Sequence, residues 1–308
     1  MAVAQASARA SIRKKWLTQW TVSRLWGYLF IAPFMALFLV FKVYPSLYAV
    51  WLSFVIWKPR GASQWIGLQN YANLIQNELL QKAFVNTFLY VLMVVPTGIV
   101  LSLFTAILIY SLRSNAVRQI FQAAFYLPGV ISGLAVVLVW RYIYDPEIGL
   151  LNYLLSLVGL PPQNWLGNPN TAMPAVAAMA LVGGGGGSVI IFVAALGGIP
   201  QELYDAALID GASNWSKHRY ITLPLLVPPT LYVMVSSTIS AFQVFAPMMV
   251  LTHGGPMNRT LTAGFLIWKL IWSYADLGAA SATGVMLLLA CIGLTIAQFR
   301  WFSQVVEY

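Results

Sequence analysis

Charged residues are scarce in this sequence. Only 8% of its 308 residues are Asp, Glu, Lys or Arg, whereas 60% are hydrophobic and the mean hydropathy is +0.77. A soluble domain carries about 25% charged residues, and no soluble fold could bury this much apolar surface. The composition therefore excludes a soluble globular protein and predicts a polytopic membrane protein.

Cysteine and histidine are almost absent. Cys291 is the single cysteine, so it cannot form an internal disulfide. His218 and His253 are expected on opposite sides of the membrane, which excludes a shared metal site and a Ser/His/Asp triad. No lysine follows the glycines at 183–187, which excludes a phosphate-binding loop. We therefore predict no catalytic residues, no metal site and no cofactor bound by this chain.

Six apolar segments are each long enough for a membrane-spanning helix, which needs about 20 residues. Together they predict an all-α fold with six transmembrane helices over residues 26–308. A basic tail at 1–25 precedes them, and we expect it to be an uncleaved cytoplasmic tail rather than the start of a signal peptide, because the first apolar stretch is too long. The predicted spans are roughly 26–54, 84–111, 119–144, 172–197, 225–252 and 278–302.

The distribution of charge predicts the orientation and limits the possible partners. An even number of spans places both termini on one side, and the short basic loop "LRSNAVR" at 112–118 lies on that side. Because Lys and Arg are enriched in cytoplasmic loops, both termini are expected in the cytoplasm. The net charge of +9 includes no basic stripe with interleaved aromatics, so nucleic-acid binding is not expected.

None of the eight acidic residues is predicted at the middle of a span. A proton- or sodium-coupled secondary transporter would need a carboxylate there. Another subunit is therefore expected to supply the energy, and a secondary transporter remains the less favoured alternative.

Residues 199–224 form the one polar segment with a helical pattern, and we call them the docking segment. Pro200 suits the first turn of a helix, Gly211 suits its end, and Ser213 can cap a second short helix. This pattern predicts a helix–turn–helix on the cytoplasmic surface. It serves either as a plain connector or as a docking element for another protein.

The docking segment also carries a resemblance to a known family. The stretch "ELYDAALIDGASNWSKHRYITLPLL" resembles the cytoplasmic signature of binding-protein-dependent ABC importer permeases, in particular their carbohydrate-uptake branch and its maltose-type larger subunit. Asp205 stands where the signature usually has Glu, and His218 where an aromatic residue is common. Further similar stretches are "WIGLQNYANLI" at 65–75, "NTFLYV" at 86–91, "YLPGVISG" at 126–133 and "VLTHGGPMNRT" at 250–260.

The resemblance implies a set of partners in a bacterial inner membrane. A second homologous permease subunit would complete the translocation pathway, and an extracytoplasmic solute-binding protein would deliver a carbohydrate. A dimer of cytoplasmic ATPase subunits would bind ATP and Mg²⁺ and dock on this chain. The implied docking residues are Glu202, Asp205, Ala206, Ala207, Asp210, Gly211, Ala212 and Trp215.

The resemblance also implies a substrate pathway along the third, fourth and fifth spans. Only Gly184 and Ser237 keep the residue types of a maltose-type permease, so a roomier and less polar path is expected. Helix packing is the alternative role for each of these small residues, and a glycerol-phosphate ester is the alternative cargo. The implied pathway residues are Gly129, Gly133, Gly184, Gly187, Ser237, Ser240, Ala241 and Val244.

Five consecutive glycines at 183–187 interrupt the fourth span. Relative to alanine they cost about 4–5 kcal/mol of helix propensity. A membrane helix tolerates this where its freed backbone is buried in protein or lines a cavity. We expect the glycines either to make room for a bulky sugar or to let the helix bend.

Overall fold

The computed structural model describes residues 26–57 and 63–303, which are predominantly helical and divide into two units after Leu52. The basic tail predicted at 1–25 lies outside the described residues. The described part of the first unit is one helix, α1 (Trp26–Leu52).

The second unit begins with a two-stranded antiparallel sheet and continues as helices. The strands are β1 (Val55–Ile56) and β2 (Gln64–Trp65), with Val55 opposite Trp65. The helices are α2 (Gln69–Ile75), α3 (Glu78–Tyr110), α4 (Asn115–Val130), α5 (Gly133–Ile143), α6 (Leu150–Leu157), α7 (Ala172–Gly184), α8 (Gly186–Gly197), α9 (Gln201–Ile209), α10 (Asn214–Leu225), α11 (Val227–Phe242), α12 (Ala263–Trp272) and α13 (Leu277–Ser303).

The described helices confirm the all-α prediction. Three of them, α1, α3 and α13, are long and apolar enough to cross a membrane, and the number rises to six if each bent helix pair is one span. The pairs α4–α5, α7–α8 and α10–α11 bend by 94°, 48° and 61°. Helix α3 begins before the expected residue 84 because the Asn77 side chain caps it, accepting the Leu79 N–H at 2.8 Å.

The predicted span 225–252 is interrupted near its end. Helix α11 stops at Phe242, and helical structure resumes only around Pro247. Proline lacks the N–H that would bond the carbonyl four residues earlier, and its ring clashes with that carbonyl. The Thr262 hydroxyl covers part of the break by donating to the Val244 carbonyl at 2.9 Å.

Helix α3 is the centre of the second unit and packs against α7, α8, α11 and α12. Its Asn86 amide donates to the carbonyls of Asn258 and Leu261 at 2.7 and 2.9 Å. The neighbouring Thr87 hydroxyl accepts the Ala263 N–H at 2.9 Å. These bonds satisfy buried polar groups and hold the loop before α12 against the start of α3.

The segment between α5 and α7, which includes α6, is ordered by its own polar side chains. The Trp165 indole N–H donates to the Asn152 side chain at 3.0 Å. The Asp145 carboxylate accepts the backbone N–H groups of Ile148 and Glu147, and these bonds lower the pKa of its carboxyl.

The glycines at 183–187 both bend the fourth span and bring it close to α4. The 48° bend falls at Gly185, between α7 and α8. A Cβ atom on Gly186 would clash with the carbonyl oxygen of Phe125 in α4. A Cβ atom on Gly184 or Gly187 would meet nothing within 4 Å. Close helix approach therefore requires glycine at one position, while two others border open space.

Alanine substitutions should separate these roles. Gly186→Ala should destabilise the protein by about 1–3 kcal/mol, because α8 must move away from α4 to admit the methyl group. Gly184→Ala is the matched control and should be neutral or slightly stabilising, because alanine favours helix and meets open space. Thermal unfolding of the detergent-solubilised protein measures the difference. Equal unfolding temperatures would show that the close approach does not matter for stability.

Candidate functional site

The docking segment forms the predicted helix–turn–helix. Helix α9 ends in a turn at Gly211, whose φ of +74° is a left-handed conformation that favours glycine. The Ser213 hydroxyl then accepts the Ser216 N–H at 3.2 Å and caps α10. The backbone signals in the sequence therefore predicted this local structure correctly.

The residues implied for docking lie on the surface of this segment. Ala207 and Ala212 are partly buried, and the other six are exposed. The neighbouring Ile209 is 87% exposed and Trp215 is 70% exposed. The surface thus combines large exposed apolar side chains with three carboxylates, those of Glu202, Asp205 and Asp210.

A polar contact joins the two helices of the docking segment. The hydroxyls of Tyr204 and Thr222 share a hydrogen bond of 2.9 Å, and Thr222 is only 1% exposed. Thr222 also lies 3.3 Å from Nδ1 of His218. His218, which departs from the resembled signature, therefore contributes a polar contact inside the segment.

A cavity of about 410 Å³ lies between α3, the bent pair α7–α8 and α11, and we call it the glycine–serine cavity. Its size falls within the range of about 300–1,000 Å³ typical of small-molecule sites. Six of the eight implied pathway residues line it: Gly184, Gly187, Ser237, Ser240, Ala241 and Val244.

The other two implied pathway residues lie elsewhere. Gly129 and Gly133 stand on either side of the 94° bend between α4 and α5, where both are exposed. They are not among the residues that line the glycine–serine cavity. The described structure therefore brings together the pathway residues of the fourth and fifth spans and separates those of the third.

Helix α3 supplies a wall of the cavity that the sequence reasoning missed. Tyr90, Val94, Gly98 and Ser102 follow one another at four-residue spacing and line the cavity together. This spacing places them on one face of a helix. The signal was present in the sequence, but apolar neighbours surround it on a long hydrophobic helix.

The cavity offers hydroxyl groups and no charge. Ser188, Ser237 and Ser240 line it, and none of their hydroxyls bonds a protein group within the described residues. Ser236 differs, because its hydroxyl donates to the Tyr232 carbonyl at 2.7 Å. Uncharged hydroxyls and the rings of Tyr90 and Tyr232 suit the polyhydroxyl part of a ligand and provide no counter-charge for an ion.

Two relatives match almost the whole chain. The sn-glycerol-3-phosphate transport system permease protein UgpA of Yersinia pestis is 31% identical over 284 residues, covering 91% of this chain and 95% of that protein. The arabinooligosaccharides transport system permease protein AraP of Bacillus subtilis is 33% identical over 281 residues, covering 89% of this chain and 87% of that protein.

A solved structure agrees with the fold. A crystal structure of a bacterial ABC transporter involved in the import of the acidic polysaccharide alginate superposes with a TM-score of 0.80 at 25% sequence identity. The match covers 93% of this chain and 98% of that chain.

A family model, the binding-protein-dependent transport system inner membrane component, matches residues 82–304. This chain therefore belongs to the family of inner membrane components of binding-protein-dependent transport systems, and its helices form a permease.

Proposed function

We propose that this permease forms half of the pathway of an ATP-driven importer that carries a saccharide. A second permease subunit completes the pathway, and an extracytoplasmic solute-binding protein delivers the cargo. Two ATPase subunits bind ATP and Mg²⁺ and dock on residues 199–224, so this chain does no chemistry of its own. The docking segment and both termini face the cytoplasm.

One observation carries the proposal: two helices that line the glycine–serine cavity run directly into the docking segment. Helix α8 ends at Gly197, immediately before the segment, and α11 begins at Val227, immediately after it. The Tyr204–Thr222 hydrogen bond joins the two helices of the segment. A force applied there is therefore transmitted to two walls of the cavity.

The cargo follows from the chemistry of the cavity and from the relatives. Serine hydroxyls can bond the edges of a sugar, and the open positions at Gly184 and Gly187 leave room for its rings. The arabinooligosaccharide permease and the alginate importer support a saccharide.

A glycerol-phosphate ester is the second candidate cargo, favoured by the similarity to UgpA. No charged residue lines the glycine–serine cavity. A phosphate group would therefore have to be neutralised elsewhere on the path.

Family membership and an uncharged cavity together leave a proton- or sodium-coupled secondary transporter without support.

Filling the cavity should block transport. Gly184→Leu and Gly187→Leu each place a branched side chain where the structure has open space, so uptake should fall at least about tenfold while the subunits still assemble. Gly293→Leu is the matched control, because its Cβ also meets nothing within 4 Å and the residue lies outside the cavity lining. The measurement is uptake by the assembled transporter in liposomes. Normal uptake by both cavity variants would contradict the assignment.

Charge reversal in the docking segment should uncouple ATP hydrolysis from transport. Asp205 is exposed on α9, and Asp205→Lys should reduce uptake per ATP hydrolysed about tenfold, because it places a cation where the partner surface meets a carboxylate. Asn115→Lys adds a cation on the same predicted side outside the segment and should have little effect. Uptake and ATP hydrolysis are measured together in reconstituted vesicles. An unchanged ratio in Asp205→Lys would argue against docking at this surface.

A further inference from the structure

A second cavity, of about 490 Å³, is lined by three basic side chains, and we call it the basic vestibule. Arg141, His253 and Lys269 line it together with the aromatic rings of Phe265 and Trp268. No Asp or Glu is among its lining residues. Part of its wall comes from the helical turn Met248–Thr252, which follows the break after α11. This turn follows the end of α11 that is farther from the docking segment in the chain.

The vestibule is assembled from separate parts of the chain. Arg141 lies in the last turn of α5, His253 begins the loop after the helical turn Met248–Thr252, and Lys269 lies on α12. The bonds from Asn86 and Thr87 of α3 hold this loop and the start of α12 in place. The basic groups therefore converge because of tertiary packing and not because they are neighbours in sequence.

The arginine and the lysine of the vestibule lack an anionic partner within the described part of the chain. Lys269 is partly buried, and its ammonium nitrogen lies 5.0 Å from the centre of the Phe265 ring. Neither Lys269 nor Arg141 forms an ion pair with a residue in the described part of the chain. Arg141 is exposed, whereas Lys269 is partly removed from water. Such removal is costly for a cation without a counter-charge, and the nearby Phe265 ring compensates only in part. An external anion in the vestibule would supply the missing charge.

We propose that the basic vestibule binds the anionic group of a saccharide or polyol substrate, a carboxylate or a phosphate, before the substrate reaches the glycine–serine cavity. The Arg141 guanidinium can bond two oxygens of such a group at once, and Lys269 adds a second positive charge. The Trp268 ring offers an apolar face for a sugar ring. This inference rests on the proposed function for its substrate, but it concerns a different cavity.

Binding of three probes tests the proposal: trigalacturonate, glycerol 3-phosphate and neutral maltotriose. Affinities are measured by isothermal titration calorimetry on the assembled transporter in phosphatidylcholine nanodiscs. At least one anionic probe should bind, and Arg141→Gln and Lys269→Gln should each weaken it about tenfold, because each removes one charge-assisted contact. The anionic probe that binds identifies the group as a carboxylate or a phosphate. Any affinity for maltotriose should be the same in both variants.

Arg259→Gln is the matched control, because Arg259 is an exposed arginine on the loop that begins at His253 but is not part of the vestibule lining. It should leave the affinity for the anionic probe unchanged. Failure of both anionic probes to bind, or equal affinities in the parent and both vestibule variants, would overturn the proposal. Displacement of the bound probe by phosphatidylglycerol would assign the vestibule to a lipid headgroup and would also overturn it. If Asp205→Lys uncouples ATP hydrolysis from transport but no anionic probe binds, the proposed role of the vestibule is rejected and the proposed function stands.

Discussion

Backbone hydrogen bonding is the constraint on which this structure depends. Inside a membrane an unpaired N–H or C=O group has no water to bond, so a helix can break only where protein or a cavity covers the break. The fourth span bends at Gly185, and the fifth is interrupted after Phe242. Both breaks lie beside the glycine–serine cavity, and Thr262 covers part of the second by bonding Val244. The cavity thus lies where helical regularity is lost.

Glycine has two physical uses within the same five-residue run. At Gly186 the absent side chain lets the backbone of α8 lie against the Phe125 carbonyl of α4. At Gly184 and Gly187 it leaves open space beside the serines of α11. The bend, the close packing and the open space therefore accompany one another within a single run of five residues.

Some functional features could be read from the sequence because they depend on local backbone chemistry. Pro200, Gly211 and Ser213 predicted the two short helices of the docking segment, and the apolar segments predicted most of the helices. The boundaries of α3 and α11 were harder, because a capping side chain at Asn77 and the proline at 247 changed them by several residues. The cavity face of α3 went unrecognised, since apolar neighbours on a long hydrophobic helix hide its four-residue spacing.

The sequence by itself determined that the chain lies in a membrane, that it is helical, and where its docking segment folds, because hydropathy and turn-forming residues act over a few neighbouring positions. Only the tertiary structure decided which faces meet. It joined Tyr90 of α3 to the serines of α11 around one cavity and left Gly129 and Gly133 outside it. It also brought Arg141 and Lys269, 128 residues apart in the sequence, to one vestibule. Such meetings depend on helix bends and on long-range contacts such as the Asn86 bonds, which no local pattern encodes.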